Sequence, residues 1–196
     1  MEIFLEEMKQ VLIFTAHPHP RGAANLLADE FEKNLPTEIS TERIELCDAN
    51  LPRFSQFFAT ADAREEKNMP PEILQIAKKW RAADSIAFFL PNWWGTGPAE
   101  LVDLFCWLSS EIAVFGDGMP AKKMCGKKVF WVCAGAAPGF LRKLFFFKTD
   151  PEKWGRYIFS FSGAKFFSKF FNGAPMGRSE IPENWKSKIR KLAGKI

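Results

Sequence analysis

The sequence has few residues of the types that bind metals or form covalent cross-links. Its 196 residues include two histidines, one tyrosine and four cysteines. The cysteines lie in or beside apolar segments, without the short paired spacings of zinc sites and thioredoxin-type redox centres. They are Cys47, Cys106, Cys125 and Cys133. We therefore predict buried, reduced thiols and no metal site.

Long hydrophobic runs are also absent. No apolar run approaches the roughly 18 residues of a membrane span. Glu2, Glu6, Glu7 and Lys9 interrupt the N-terminal apolar residues, so no secretory signal is visible. The formal charge is +4, with basic and acidic residues interleaved, which argues against a dedicated nucleic-acid binder. These absences predict a cytoplasmic protein.

Alternating strand and helix signals make up most of the chain. The run from Gln10 to Ala16 is almost continuously apolar, which is typical of a parallel strand covered on both faces. Four more strands are predicted at Glu42 to Cys47, Asp84 to Leu90, Lys127 to Cys133 and Lys165 to Phe171. Helices are predicted at Ala24 to Leu35, Pro71 to Ala82, Leu101 to Leu108, Asp150 to Phe161 and Glu183 to Leu192, with a long irregular connection over 48–68. This order predicts one α/β domain, residues 1–196, with a doubly wound parallel sheet.

In such a sheet, ligands bind at the carboxyl ends of the strands, where the strand order reverses. Three loops meet this description: residues 17–25, 91–99 and 134–140. The first loop enters a helix whose N-terminal N–H groups and dipole favour an anion such as phosphate. Gly22 in that loop lets the backbone approach a ligand closely. The second loop contains Trp93 and Trp94, which can pack against a planar ring; we expect one to line the site and leave open which.

The same three loops carry a resemblance to the flavodoxin-like NAD(P)H:quinone oxidoreductase family. Ala16-His17-Pro18-His19-Pro20, with Asn25, is similar to the family's Ala-His-Pro opening. Pro91-Asn92-Trp93-Trp94-Gly95, with Pro98, resembles its Pro-x-Trp-Trp loop. Cys133-Ala134-Gly135-Ala136 stands where the family usually has Thr-Thr-Gly-Gly, and Phe140 stands near the place of its active-site Tyr. The resemblance spans nearly the whole sequence.

The resemblance implies a flavodoxin-like fold with strand order 2-1-3-4-5, a homodimer, and bound FMN or FAD reduced by NADH or NADPH. The acceptor would be a quinone-like small molecule. The family's cofactor contacts carry over to the following positions, while no catalytic residue is assigned. They are His17, Arg21, Asn25, Pro91, Asn92, Trp93, Trp94, Gly95, Ala134, Gly135, Ala136 and Phe140.

Two departures from the family pattern affect the chemistry. Arg21-Gly22-Ala23-Ala24 lacks the Ser or Thr hydroxyl that commonly bonds the phosphate, a loss of about 1.5–3 kcal/mol. Arg21 would compensate by pairing with the phosphate. Because Tyr157 is the chain's single tyrosine and lies in a Phe-rich helix, we expect no Tyr-assisted proton transfer near the flavin.

Two further functional hypotheses remain open. A flavodoxin-like regulatory subunit without tight flavin binding, serving a partner at a membrane system, is favoured by the hydroxyl-poor loops. An electron carrier is disfavoured, because such carriers are usually acidic. Phe145 to Phe147 are hypothesised to line an apolar acceptor pocket or a dimer contact, with membrane-surface binding as an outside alternative.

Overall fold

The computed structural model describes residues 8–54, 66–93, 95–114, 119–140, 151–174 and 180–196. Trp94, the run Phe145 to Phe147 and most of the connection over 48–68 lie outside these ranges. Of that connection, residues 48–54 are irregular and Glu66–Asn68 form a short 3₁₀ helix.

Five parallel strands form the central sheet in the order β2-β1-β3-β6-β7. This is the order predicted from the sequence, with β6 and β7 as the fourth and fifth strands of the sheet. The strands are β1 Gln10–Thr15, β2 Ser40–Glu45, β3 Ser85–Pro91, β4 Ala113–Val114, β5 Ala121–Lys122, β6 Lys128–Gly135 and β7 Lys165–Asn172.

The inner strands are apolar because helices cover both faces of the sheet. Every residue of β3 is buried, whereas β2 has no fully buried residue and β7 has one, Phe171. The edge strands therefore carry the charged residues Glu42, Lys165 and Lys169. The predicted doubly wound α/β fold is confirmed.

Two helical layers enclose two apolar cores. The helices are α1 Ala23–Lys33, α2 Pro71–Ala82, α3 Ala99–Trp107, α4 Ser109–Ile112, α5 Pro151–Phe159 and α6 Glu183–Ala193. Helices α1 and α6 cover one face, where Phe31, Phe130 and Ile189 are buried. Helices α2, α3 and α5 cover the other, around Phe88 and Trp131. No described helix has the length and apolar character needed to cross a membrane.

Short elements in the middle of the chain are absent from the sequence prediction. Helix α4 has four residues, and β4 and β5 pair as a two-residue antiparallel ribbon. Elements this short contain only about one period of a helical or strand pattern, so hydrophobic periodicity does not detect them.

The expectation of buried thiols holds for only part of the cysteine set. None of the four cysteines forms a disulfide within the described residues, and Cys133 is buried in β6. Cys47 and Cys106 are half-buried, and Cys125 is exposed on the turn before β6. The prediction was wrong for Cys125, because an apolar neighbourhood in sequence does not determine which way a turn residue faces.

Candidate functional site

The three loops meet at the carboxyl edge of the sheet around a cleft of about 450 Å³. The strand register aligns them, since Pro91 at the end of β3 lies beside Ala134 of β6, and Asn92 N donates to Ala134 O at 2.7 Å. Thirteen residues line the cleft: His17, His19, Arg21, Gly22, Ala23, Ala24, Pro91, Asn92, Trp93, Ala134, Gly135, Ala136 and Ala174.

In the first loop, hydrogen bonds connect three basic residues that are spaced two apart. His19 N donates to Nδ1 of His17, and Arg21 N donates to Nδ1 of His19, both at 3.1 Å. A backbone N–H can be donated only to an unprotonated ring nitrogen, so both bonds select the neutral tautomer with hydrogen on Nε2. The two rings therefore keep an Nε2–H donor outside the loop's own bonds. We call His17, His19 and Arg21 the basic ladder.

Gly22 is required by the position of the first histidine. A Cβ at residue 22 would lie 2.3 Å from Nδ1 of His17, well inside any real contact. Gly22 also serves as the N-cap of α1 without a capping side chain. The residue that starts the helix thus gives the His17 ring the space it occupies.

The N-terminus of α1 forms the floor beside the ladder. The first intrahelical bond runs from Leu26 N to Gly22 O at 3.0 Å, so the N–H groups of Ala23 and Ala24 lie ahead of the helical hydrogen bonds. Both alanines line the cleft. Their small side chains leave these donors and the positive end of the helix dipole open to an anion.

Asn25 lies behind the loop and is not one of the lining residues. Its side chain is buried, with 2% exposed, and Nδ2 donates to the carbonyl oxygens of His17 and His19 at 3.1 Å each. Its Oδ1 is buried without a hydrogen-bond partner among the described residues. Asn25, a predicted contact residue, therefore stabilises the backbone of the first loop at His17 and His19.

The second loop turns back sharply after β3. Gly95 N donates to Asn92 Oδ1 at 3.1 Å, and Trp93 and Thr96 exchange backbone hydrogen bonds at 3.2 and 3.0 Å. Gly95 has a φ of 84°, a conformation that side chains disfavour, and it is buried outside the lining. The Trp93 ring is 42% exposed, with its centroid 6.2 Å from that of His17.

The third loop contributes backbone and small side chains. A Cβ at Gly135 would lie 3.1 Å from the Phe170 ring of β7 and 3.2 Å from Asn92 Cβ, so a strand and the second loop both close against this glycine. Ala174 N donates to Gly135 O at 2.9 Å, which brings the end of β7 to the cleft. Phe140 is 68% exposed and is not among the lining residues.

Charge in the cleft has one sign. Of the described residues that line it, none is acidic, while Arg21 carries a full positive charge. Burial lowers the pKa of the His17 imidazole below its ordinary value. His17 is therefore a neutral donor near neutral pH. Among the described residues, no cluster of three or more His, Cys, Asp or Glu side chains is arranged to hold a metal ion.

Five residues that line the cleft were not predicted as site residues. His19, Gly22, Ala23, Ala24 and Ala174 line the cleft but were not among its predicted contacts. The available signal was the second histidine, two residues after His17 in a loop already predicted to form the site. Ala174 follows the strand next to β6, so its position follows from the strand order.

A family model described as flavodoxin-like fold matches residues 9–195. The chain belongs to this family. Its membership confirms the family resemblance and the fold predicted from the three loops. No curated protein sequence matches this flavodoxin-like chain significantly.

Solved structures share the whole fold at low sequence identity. Smu.1420 from Streptococcus mutans UA159 superposes with a TM-score of 0.77 at 15% identity, covering 95% of this chain and 100% of that one. An FMN-dependent NADH-azoreductase from Bacillus anthracis, in complex with FMN, gives 0.75 at 16%, covering 96% and 99%. An NAD(P)H:quinone oxidoreductase from Methanothermobacter marburgensis gives 0.74 at 19%, covering 94% of each chain. At these identities the likeness establishes the fold of the flavodoxin-like chain.

Proposed function

We propose that this protein is a flavin-dependent reductase that binds FMN in the cleft, takes reducing equivalents from NADH or NADPH and reduces a quinone-like acceptor. The observation that carries the proposal is the convergence of an anion-binding loop and an aromatic loop on one cleft at the carboxyl edge of the sheet. An azoreductase with bound FMN and an NAD(P)H:quinone oxidoreductase share the fold, which supports this choice.

The residues present fit a flavin nucleotide. The basic ladder and the N-terminus of α1 supply donors for a phosphate, and Pro91 to Trp93 with Ala134 to Ala136 supply walls for a planar ring. A Cβ at Gly22 would collide with the His17 ring, and a Cβ at Gly135 would contact Phe170 and Asn92 tightly. FMN is preferred to FAD because the cleft contains one concentration of positive charge, at the first loop.

Bound FMN would supply hydride acceptance from the nicotinamide and hydride donation to the acceptor. The protein's own contribution is binding and orientation. Asn25 fixes the ladder's backbone through two carbonyl bonds. The Asn92 side chain fixes the turn at Gly95, which sets the position of the exposed Trp93 ring beside His17. Neutral His17 offers an Nε2–H that can donate a hydrogen bond to a ligand in the cleft.

A regulatory flavodoxin-like subunit is the second candidate function. It is favoured by the absence of Ser or Thr from residues 21–24 and 134–136, since hydroxyls are common phosphate and ring partners. In that case the cleft would bind flavin weakly, and the partner would be a protein of a membrane system. Homodimer formation and a cytoplasmic location belong to the enzyme proposal as expectations.

A flavin-loading experiment separates the two candidates. The purified protein is mixed with FMN or FAD, excess ligand is removed by gel filtration, and the visible absorbance of retained flavin is recorded. Retained FMN, followed by NADH or NADPH oxidation that depends on an added quinone, supports the reductase. A protein that retains no flavin and oxidises neither nucleotide overturns the enzyme proposal and favours the regulatory subunit.

A further inference from the structure

We propose that Arg21 and His19 recognise a terminal phosphate dianion, replacing the side-chain hydroxyl with a guanidinium and an imidazole Nε2–H. This inference rests on the proposed function, because the phosphate in question is that of FMN. It assigns a specificity role to two side chains and predicts a graded preference for FMN over FAD and over riboflavin.

Basic residues alternate with prolines in the segment His17-Pro18-His19-Pro20-Arg21. The three basic residues line the cleft, while Pro18 and Pro20 are exposed outside the lining. Proline has no backbone N–H. The remaining N–H groups, those of His19 and Arg21, are donated to the imidazoles two residues earlier. Every backbone donor of this short segment after His17 thus serves to orient a basic side chain.

The positive charge of Arg21 is not neutralised by a neighbouring carboxylate of the described chain. Within the described ranges, no carboxylate lies within ion-pairing distance of this guanidinium. By contrast, Arg43 pairs with Asp29 at 2.5 Å and Arg190 pairs with Glu30 at 3.1 Å. Arg21 instead borders a cleft whose described lining contains no acidic residue. An anionic ligand is the counter-charge that this arrangement accepts.

The His17 ring leaves no room for a Ser or Thr side chain at the N-cap position of α1. A Ser or Thr at position 22 would place its Cβ within 2.6 Å of three atoms of the His17 ring. The ladder and a hydroxyl-bearing cap are therefore mutually exclusive in this backbone. A terminal phosphate offers three oxygen acceptors, which match the Arg21 fork, the His19 Nε2–H and the free N–H groups of Ala23 and Ala24. A diphosphate linkage offers fewer oxygens on each phosphorus.

Flavin fluorescence titration of the ligand-free protein tests the inference with FMN, riboflavin and FAD. Arg21→Gln is expected to weaken FMN binding by about tenfold to a hundredfold and to leave riboflavin binding unchanged. His19→Asn is expected to weaken FMN severalfold. An Asn side chain retains an oxygen that accepts the Arg21 N–H but lacks the Nε2–H donor. Arg53→Gln removes the same charge from an exposed residue outside the cleft and serves as the control.

A second readout avoids flavin. Inorganic phosphate is added to the ligand-free protein while the NMR signals of the two imidazoles are followed. The expected shift of the His19 signals is reduced in Arg21→Gln and retained in Arg53→Gln. A wild-type protein that binds FMN, with an Arg21→Gln variant whose FMN-to-riboflavin preference is unchanged, overturns the inference and leaves the proposed function standing. A wild-type protein that binds no FMN overturns both.

Discussion

The cleft at the carboxyl edge of the sheet differs in chemistry from a second concavity, an apolar groove of about 320 Å³ between α3, α4 and α5. The cleft collects a guanidinium, two imidazoles and the N-terminus of α1. The apolar groove is lined by Val102, Phe105, Cys106, Ser109, Ile112, Ala113, Trp154 and Ile158. The hydroxyl of Ser109 is already donated to the Cys106 carbonyl at 3.2 Å.

The difference shows what distinguishes a candidate site from a packing feature. Both concavities are large enough for a small molecule. Only the cleft presents several donors that the fold itself has oriented, and segments far apart in sequence, at 91–93, 134–136 and 174, form the walls around them. The apolar groove is built from side chains that pack two neighbouring helices together, such as Trp154 against Phe105 at a ring distance of 5.9 Å.

The largest expected effect is on stability, at the buried face of α5, the helix that carries Trp154 and Ile158 of the apolar groove. A Cβ at Gly155 would lie 2.5 Å from the Trp131 ring, which is fully buried. Gly155→Ala is expected to lower the free energy of unfolding by about 1–3 kcal/mol, measured by urea denaturation. FMN affinity of the folded variant should stay within about twofold of wild type. A matching loss of affinity would break the distinction between the two regions.

Gly194→Ala is the control for this substitution. Residue 194 follows α6 with a φ of −65°, and its nearest neighbour to an added Cβ is Arg190 O at 3.6 Å. Alanine fits this backbone, so stability should be unchanged or rise slightly. Equal destabilisation of both variants would contradict the packing argument.

The next effect is on the cleft. Gly22→Ala is expected to displace the His17 ring and to weaken FMN binding by about tenfold, since the basic ladder begins at that ring. Gly126→Ala is the matched control. That glycine has a φ of 86° with open space around it, so alanine costs about 1 kcal/mol of stability through backbone strain. If both variants bind FMN as wild type does, His17 has no part in the site.

Much of this arrangement follows from the sequence, because buried parallel strands have continuous apolar runs. β1, β3 and β6 were predicted to within one or two residues, and a doubly wound sheet brings their carboxyl ends together. The three loops could therefore be assigned to one site before any contact was known. The edge strand β2 begins two residues earlier than predicted, at Ser40, because pairing with β1 extends it through polar residues.

Side-chain orientation is what the sequence could not supply. Phe140 stands at a loop position that suggested a ring contact, but its side chain is exposed outside the lining. Asn25, which is predicted to contact the ligand, bonds two carbonyls behind the loop. Both orientations depend on side-chain torsions, which a sequence pattern does not determine, and the ligand contacts of the two residues stay predictions. Trp93 is exposed at the cleft. Trp94 lies outside the described residues, so its expected packing in the core stays a prediction.

A smaller effect concerns pH at the cleft. Since burial lowers the folded-state pKa of His17 below its ordinary value of 6.5, the unfolded chain binds the proton more readily. The stability contributed by neutral His17 is present above the unfolded pKa and is lost as pH falls through the folded pKa. His17→Gln removes this dependence. The stability of wild type minus that of the variant should therefore decrease between about pH 7.5 and pH 5.

The Gly155→Ala variant provides the contrast for that measurement. Its substitution lies among apolar rings, so its stability should run parallel to wild type over the same pH range. A constant difference between wild type and His17→Gln would mean that the first loop does not hold the imidazole neutral. Repeating the series with FMN present tests whether the bound ligand changes the proton binding of His17.

The smallest expected effect is at the rim of the apolar groove. Val102 lines the groove with 43% of its surface exposed, so Val102→Ser should change the free energy of unfolding by no more than about 0.5 kcal/mol. FMN affinity should not change, because no donor of the cleft lies on this part of α3. Sedimentation of the variant is the sharper measurement. An unchanged mass means that Val102 lies on a free surface. If the wild type is a dimer and the variant is a monomer, the apolar groove is a dimer contact, which its chemistry alone does not indicate.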